Sequence, residues 1–149
     1  MATKTRFQKI YFYFSLTIVL ALFVLIFCLS HQSGEDSTET SGWFTALLNF
    51  VFPFELTENF VRTMAHFSEF AALGMSFTWL FGMLSGKKAW YLSLPLICGA
   101  AAAAIDETIQ LFSPDRGPSI KDVGIDTCGV ITGIAVLSLL HWLFTHKKR

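Results

Sequence analysis

The sequence predicts an all-α fold: a polytopic membrane helix bundle of four transmembrane helices, with a short interfacial helix on the outer side. Three observations predict it. Of the 149 residues, 53% are apolar and only 15% are charged, against about 25% charged in an ordinary soluble domain. The apolar residues gather into four stretches long enough to cross a bilayer, where only helices or closed barrels satisfy their own backbone. Basic residues flank those stretches unevenly, as in membrane proteins of fixed orientation. The same composition excludes other classes. Eleven Lys and Arg balance eleven Asp and Glu, so no basic excess exists for a nucleic-acid partner. A mean hydropathy of +0.53 is incompatible with intrinsic disorder. Three Cys do not make a disulfide scaffold of a chain this long. Residues 1–149 read as a single domain.

The first span is Ile10 to Leu29, which carries no charge. As a helix it covers roughly 30 Å, the hydrocarbon thickness. Lys4, Arg6 and Lys9 precede it. It is longer than the apolar region of a signal peptide and no A-x-A site follows, which predicts an uncleaved span. The segment from Ser30 to Asn59 then lies outside. Its start, His31 to Ser37, is polar and turn-like. Trp43, Phe44, Leu47, Leu48, Val51 and Phe52 recur at helical spacing and predict a short amphipathic helix ended by Pro53. It is too short to span and suits the outer interface or a position over the bundle.

The second span, Phe60 to Leu84, is free of charge from Phe70 onward but holds Arg62, His66 and Glu69 before it. The third, Trp90 to Phe112, is apolar until Asp106 and Glu107. The fourth, Thr127 to Thr145, has Asp122 and Asp126 at its start. Four crossings put Lys4, Arg6, Lys9, Lys87, Lys88, Lys147, Lys148 and Arg149 on one side, which the positive-inside rule makes the cytoplasm. Both termini are then cytoplasmic. Every acid, from Glu35 to Asp126, falls on the outer side or in the outer half of a span, with Arg62, Arg116 and Lys121.

Ionisable groups inside spans are costly and face a bundle interior or a wet cavity. Here they reach one depth. Arg62, His66 and Glu69 open span two, Asp106, Glu107 and Gln110 close span three, Asp122 and Asp126 open span four, and Ser30 and Ser33 follow span one. Arg62, His66, Glu69 and Leu73 share a helical stripe. Asp106 and Gln110 continue a stripe through Ala103 and Gly99. Asp122 and Asp126 continue one through Gly129 and Gly133, a small-residue face that permits close helix approach. The polar positions are thus predicted to point inward at each other. The turn-rich loop from Ser113 to Ser119 would hold Arg116 and Ser119 over them.

The pattern Ser30-x-x-Ser33, His66-x-x-Glu69-Phe70-x-x-Leu73-Gly74, Asp106-Glu107-x-x-Gln110-x-Phe112 and Arg116-x-x-Ser119-x-x-Asp122-Val123-x-x-Asp126-x-x-Gly129 resembles the VanZ-like membrane protein family across nearly the whole chain. Position 126, often Asn in that family, is a carboxylate here. The resemblance implies a multi-pass protein of the bacterial plasma membrane and a theme of the cell envelope. The family takes its name from a protein linked to resistance to the glycopeptide teicoplanin.

The residues themselves leave several functions open. An enzyme acting on a lipid-linked or envelope substrate would use His66 as base or nucleophile, with Glu69, Asp106, Glu107 and Asp122 as the other catalytic candidates. Crowding favours a protonated acid at Asp106 or Glu107. Ser30, Ser33, Gln110, Arg116, Ser119 and Asp126 are candidates for substrate binding, with Arg116 suited to a phosphate. One His among carboxylates also suits Mg²⁺, Mn²⁺ or Zn²⁺, although no H-E-x-x-H or Cys pair marks a metal site and no residue is assigned as a ligand. A non-enzymatic binder of an envelope ligand or glycopeptide would present the same residues. A small proton-coupled transporter is the remaining alternative.

Overall fold

The computed structural model describes residues 6–53, 55–84, 88–114, 117 and 119–146. Lys4, Lys87, Arg116, Lys147, Lys148 and Arg149 therefore lie outside the described residues. Five helices follow in order: α1 (Arg6–Ser30), α2 (Gly34–Val51), α3 (Glu58–Leu84), α4 (Lys88–Gln110) and α5 (Ile120–His146). The fold is a helical membrane bundle, with no strand among the described residues. By length and composition, three helical segments can cross a membrane: Arg6–Ser30, Tyr91–Gln110 and Ile120–Thr145. The sequence predicts a fourth, and α3 is long enough at 27 residues. What sets it apart is an N-terminal half carrying Glu58, Arg62, His66 and Glu69.

The helix α3 is the centre of the bundle. It packs most closely against α5 and also meets α1, α2 and α4. The contact with α5 depends on glycine. A Cβ at Gly133 would collide with the Ala71 carbonyl, one at Gly129 with the Phe67 carbonyl, and one at Gly74 with the Val130 backbone. The G-x-x-x-G pair thus lets two backbones touch, which in lipid replaces the absent hydrophobic drive. Gly99 does the same for α4, seating the Val130 side chain. Around these contacts Val19, Ile26, Phe70, Leu73, Phe77, Leu80, Ala102, Ala103, Val130 and Ile134 form the buried apolar core.

The helix α2 differs from expectation. The apolar spacing predicts a helix only over residues 43–52, whereas α2 is 18 residues long and begins at Gly34. The polar start is helical because it is capped. The Ser33 hydroxyl accepts from Asp36 N at 3.1 Å and donates to Asp36 Oδ2 at 2.7 Å, and Glu35 and Asp36 complement the helix dipole. The end falls as predicted, just before Pro53. Asn49 then ties α2 to the next connection: it accepts from Leu56 N at 2.7 Å and donates to Leu56 O at 3.1 Å.

The α1–α2 corner is docked on the α4–α5 loop. Ser113 Oγ donates to Ser30 O at 3.2 Å, and Gly34 N donates to Pro114 O at 3.0 Å. Two connections distant in sequence therefore meet at the same end of the bundle as the charged halves of α3, α4 and α5.

Candidate functional site

Each of the three inner helices supplies one acidic or basic group to a common point. His66 (α3), Asp106 (α4) and Asp126 (α5) offer ligand-type atoms that all lie within 4.8 Å of one another. Asp106 is fully buried and Asp126 is 1% exposed; His66 is half-buried. The helices can converge so closely because the glycine contacts lie one to two turns deeper. Gly129 and Gly133 follow Asp126 along α5, while Phe70, Leu73 and Ala103 close the floor.

The neighbours of this trio have distinct jobs. Gln110, one turn beyond Asp106, donates from Nε2 to Asp106 Oδ2 at 3.3 Å. Glu107 sits one position round the helix and accepts a hydrogen bond from Ser119 N at the start of α5. Ser119 O in turn accepts from Asp122 N and Val123 N, at 3.0 and 3.3 Å. Glu107 and Ser119 thus anchor the α4–α5 loop. Neither carboxylate oxygen of Asp126 meets a hydrogen-bond partner among the described residues. Asp106, Asp122, Glu107 and Glu69 all bear on it electrostatically.

A cavity of about 250 Å³ opens onto two of the three, lined by Asn59, Arg62, Thr63, His66, Gly117, Asp122, Ile125 and Asp126. A larger groove of about 730 Å³ runs between α2 and α3. Phe44, Leu48, Phe60 and Phe67 are among its apolar walls, and Arg62, His66 and Glu69 stand along its polar edge. Arg62 and His66 line both spaces. The polar cavity and the apolar groove thus lie on either side of, and share, those two side chains.

Most of the sequence-predicted residues gather at this end of the bundle. His66, Asp106, Asp122 and Asp126 are at or around the polar cavity, and Glu69 faces the groove. Gln110 supports Asp106 from behind. Glu107, Ser119 and Ser30 hold the connections together, and Ser33 caps α2. Arg116 lies outside the described residues. Arg62, expected on the inward stripe with His66, lines the cavity, and so do Asn59 and Thr63, for which the sequence suggested no part. Their spacing with His66 is that of one helical face, the signal that could have found them.

The VanZ/LLP1 family model matches residues 14–141. The chain belongs to the VanZ/LLP1 family. This bears out the resemblance carried by the Ser30, His66, Asp106 and Arg116–Gly129 blocks, and the match takes in every VanZ/LLP1 candidate residue named above. No curated protein and no solved structure matches the chain.

Proposed function

We propose that this protein binds and transforms a lipid-linked envelope substrate in the outer leaflet of the bacterial plasma membrane, with both termini in the cytoplasm. One observation carries the proposal: a polar cavity and an apolar groove lie side by side and share Arg62 and His66 in their walls. An amphiphile fits such a pair of spaces, its head group in the cavity and its chain in the groove. Arg62 supplies a planar donor fork for a phosphate or carboxylate of the head group. His66 lines both spaces, within reach of a head group held in the cavity, and can take or deliver a proton. The carboxylates of Asp106 and Asp126 adjoin it.

A transport path is less well supported. Below the trio the shared core is made of Phe70, Leu73, Phe77, Leu80, Ala103 and Val130, and a proton or solute would need a polar route through it. A relation to glycopeptide resistance follows from this reading if the substrate is a cell-wall precursor.

Lipid mass spectrometry tests the proposal on membranes containing wild type, His66→Ala or Asp106→Asn at equal protein level. We expect a changed head group in the wild-type membranes alone. A lipid that copurifies with wild type but is returned unaltered would mean a binder. Identical lipid profiles with no copurifying amphiphile would overturn the proposal.

A further inference from the structure

We infer that His66, Asp106 and Asp126 together bind one divalent transition-metal cation, Zn²⁺ or Mn²⁺. The inference deepens the proposed function, because the trio adjoins the same cavity, but it concerns metal binding and stands whether or not a lipid is transformed.

The first support is geometric. Three helices each contribute one donor, and the donor atoms lie within 4.8 Å of one another. Tetrahedral ligands held about 2.1 Å from a shared ion are about 3.4 Å apart. Closing the difference takes at most about 0.7 Å from each atom of a pair, within the reach of a side-chain rotation.

The second support is an unmet need. Asp126 is 1% exposed, and neither of its oxygens has a hydrogen-bond partner among the described residues. Asp106 beside it is fully buried. Buried charges are normally paired or bound to metal, because desolvation is otherwise uncompensated. Asp122, Glu107 and Glu69 add further like charge around Asp126. A doubly charged cation between Asp106 and Asp126 offsets that repulsion and supplies the missing partner for Asp126.

The third support is the surroundings. Gln110 Nε2 holds Asp106 Oδ2 at 3.3 Å, the kind of outer contact that orients a ligating carboxylate. His66 and Asp126 line the 250 Å³ cavity, so the ion would have three protein ligands and an open face for water or a substrate oxygen, as catalytic zinc sites do. The donor set selects the metal. One imidazole nitrogen with two carboxylates favours Zn²⁺ or Mn²⁺, whereas Ca²⁺ takes six to eight oxygens and Mg²⁺ keeps most of its waters.

The test is metal analysis of the full-length protein purified in detergent, stripped with chelator and re-equilibrated with Zn²⁺, Mn²⁺, Mg²⁺ or Ca²⁺. Wild type should take up about one equivalent of Zn²⁺ or Mn²⁺ and melt at a higher temperature when loaded. Asp126→Asn and His66→Ala should lose both effects. Gln110→Ala should bind roughly 10–100-fold more weakly, and Glu35→Gln, on the exposed start of α2, should match wild type. Should His66→Ala fail to fold, Asp126→Asn still decides, since an amide of nearly the same shape fills the place of the buried carboxyl group. No uptake by wild type, equal uptake by Asp126→Asn, or preference for Mg²⁺ or Ca²⁺ would each overturn the assignment. Lipid profiling does not enter the measurement, so failure here is distinguishable from failure of the lipid-substrate reading.

Discussion

The two ends of the bundle, an apolar one around Leu80 and Ile134 (the inner half under the proposed orientation) and a charged one around His66 and Asp126 (the outer half), are built on opposite priorities. The inner half is apolar and tight: Phe70, Leu73, Phe77, Leu80, Val130 and Ile134 interlock, and glycines let α3 and α5 touch backbones. The outer half buries Asp106, Glu107, Gln110 and Asp126 on helices that carry no compensating stripe of Lys or Arg at that depth. Burying those groups costs stability unless each is paired. The difference teaches a division of labour. Close packing below fixes the helix axes, so the carboxylates above are held together although they repel. A loosely packed bundle would splay its charged ends apart.

The largest effect should come from breaking the inner half. Alanine is a better helix former than glycine by about 1 kcal/mol, so Gly133→Ala would stabilise an isolated α5. In the bundle its Cβ would meet the Ala71 carbonyl, and backbone cannot swing aside as a side chain can. We expect a net loss of about 3 kcal/mol or more, read as a lower unfolding midpoint in detergent. The site should open with it, so metal uptake and any lipid activity should fall together.

The outer half should respond with the opposite sign. In metal-free protein, Asp126→Asn replaces a buried carboxyl group crowded by Asp106, Asp122, Glu107 and Glu69, and gives those neighbours an amide donor. We expect unfolding to become harder by about 1–3 kcal/mol while function is lost. A variant that is both less active and more stable is the signature of a site strained for function. Thermal unfolding of chelator-treated wild type and variant measures it, and an unchanged or lower midpoint would remove the contrast between the halves.

How much of this is legible in the sequence depends on whether the signal is local. The spans can be read because hydropathy is a property of consecutive residues. The shared depth of His66, Asp106 and Asp126 can be read because crossing a membrane assigns depth by position along the chain. The helical start of α2 is missed because residues 34–41 have no apolar face, and only the Ser33–Asp36 cap organises them. The separate roles of adjacent Asp106 and Glu107 are also hidden. Successive helix positions differ by about 100°, and which one faces His66 depends on the rotation of α4 set by Gly99 on Val130. The apolar groove is a property of two helices together, so no single segment announces it.

Ser33 offers a smaller test that separates architecture from chemistry. Its hydroxyl satisfies Asp36 N at the start of α2, and Ser33→Ala should cost about 1 kcal/mol. The loss should be confined to α2, seen as faster hydrogen exchange at the amides of residues 35–38, with metal uptake unchanged. Altered metal binding would instead give Ser33 a part in the site.

The smallest effect is the most direct control on the glycine argument, because it lies in the same helix as Gly133. Around Gly124 nothing lies within 4 Å of a built Cβ, so alanine there meets no obstacle. Gly124 is also two positions from Asp126 and points elsewhere, as its exposure requires. Gly124→Ala should therefore gain up to about 1 kcal/mol from helix propensity alone, with the site intact. The same substitution in one helix should stabilise at 124 and destabilise at 133. If both positions moved in the same direction, backbone contact between α3 and α5 would not be what holds the outer carboxylates together.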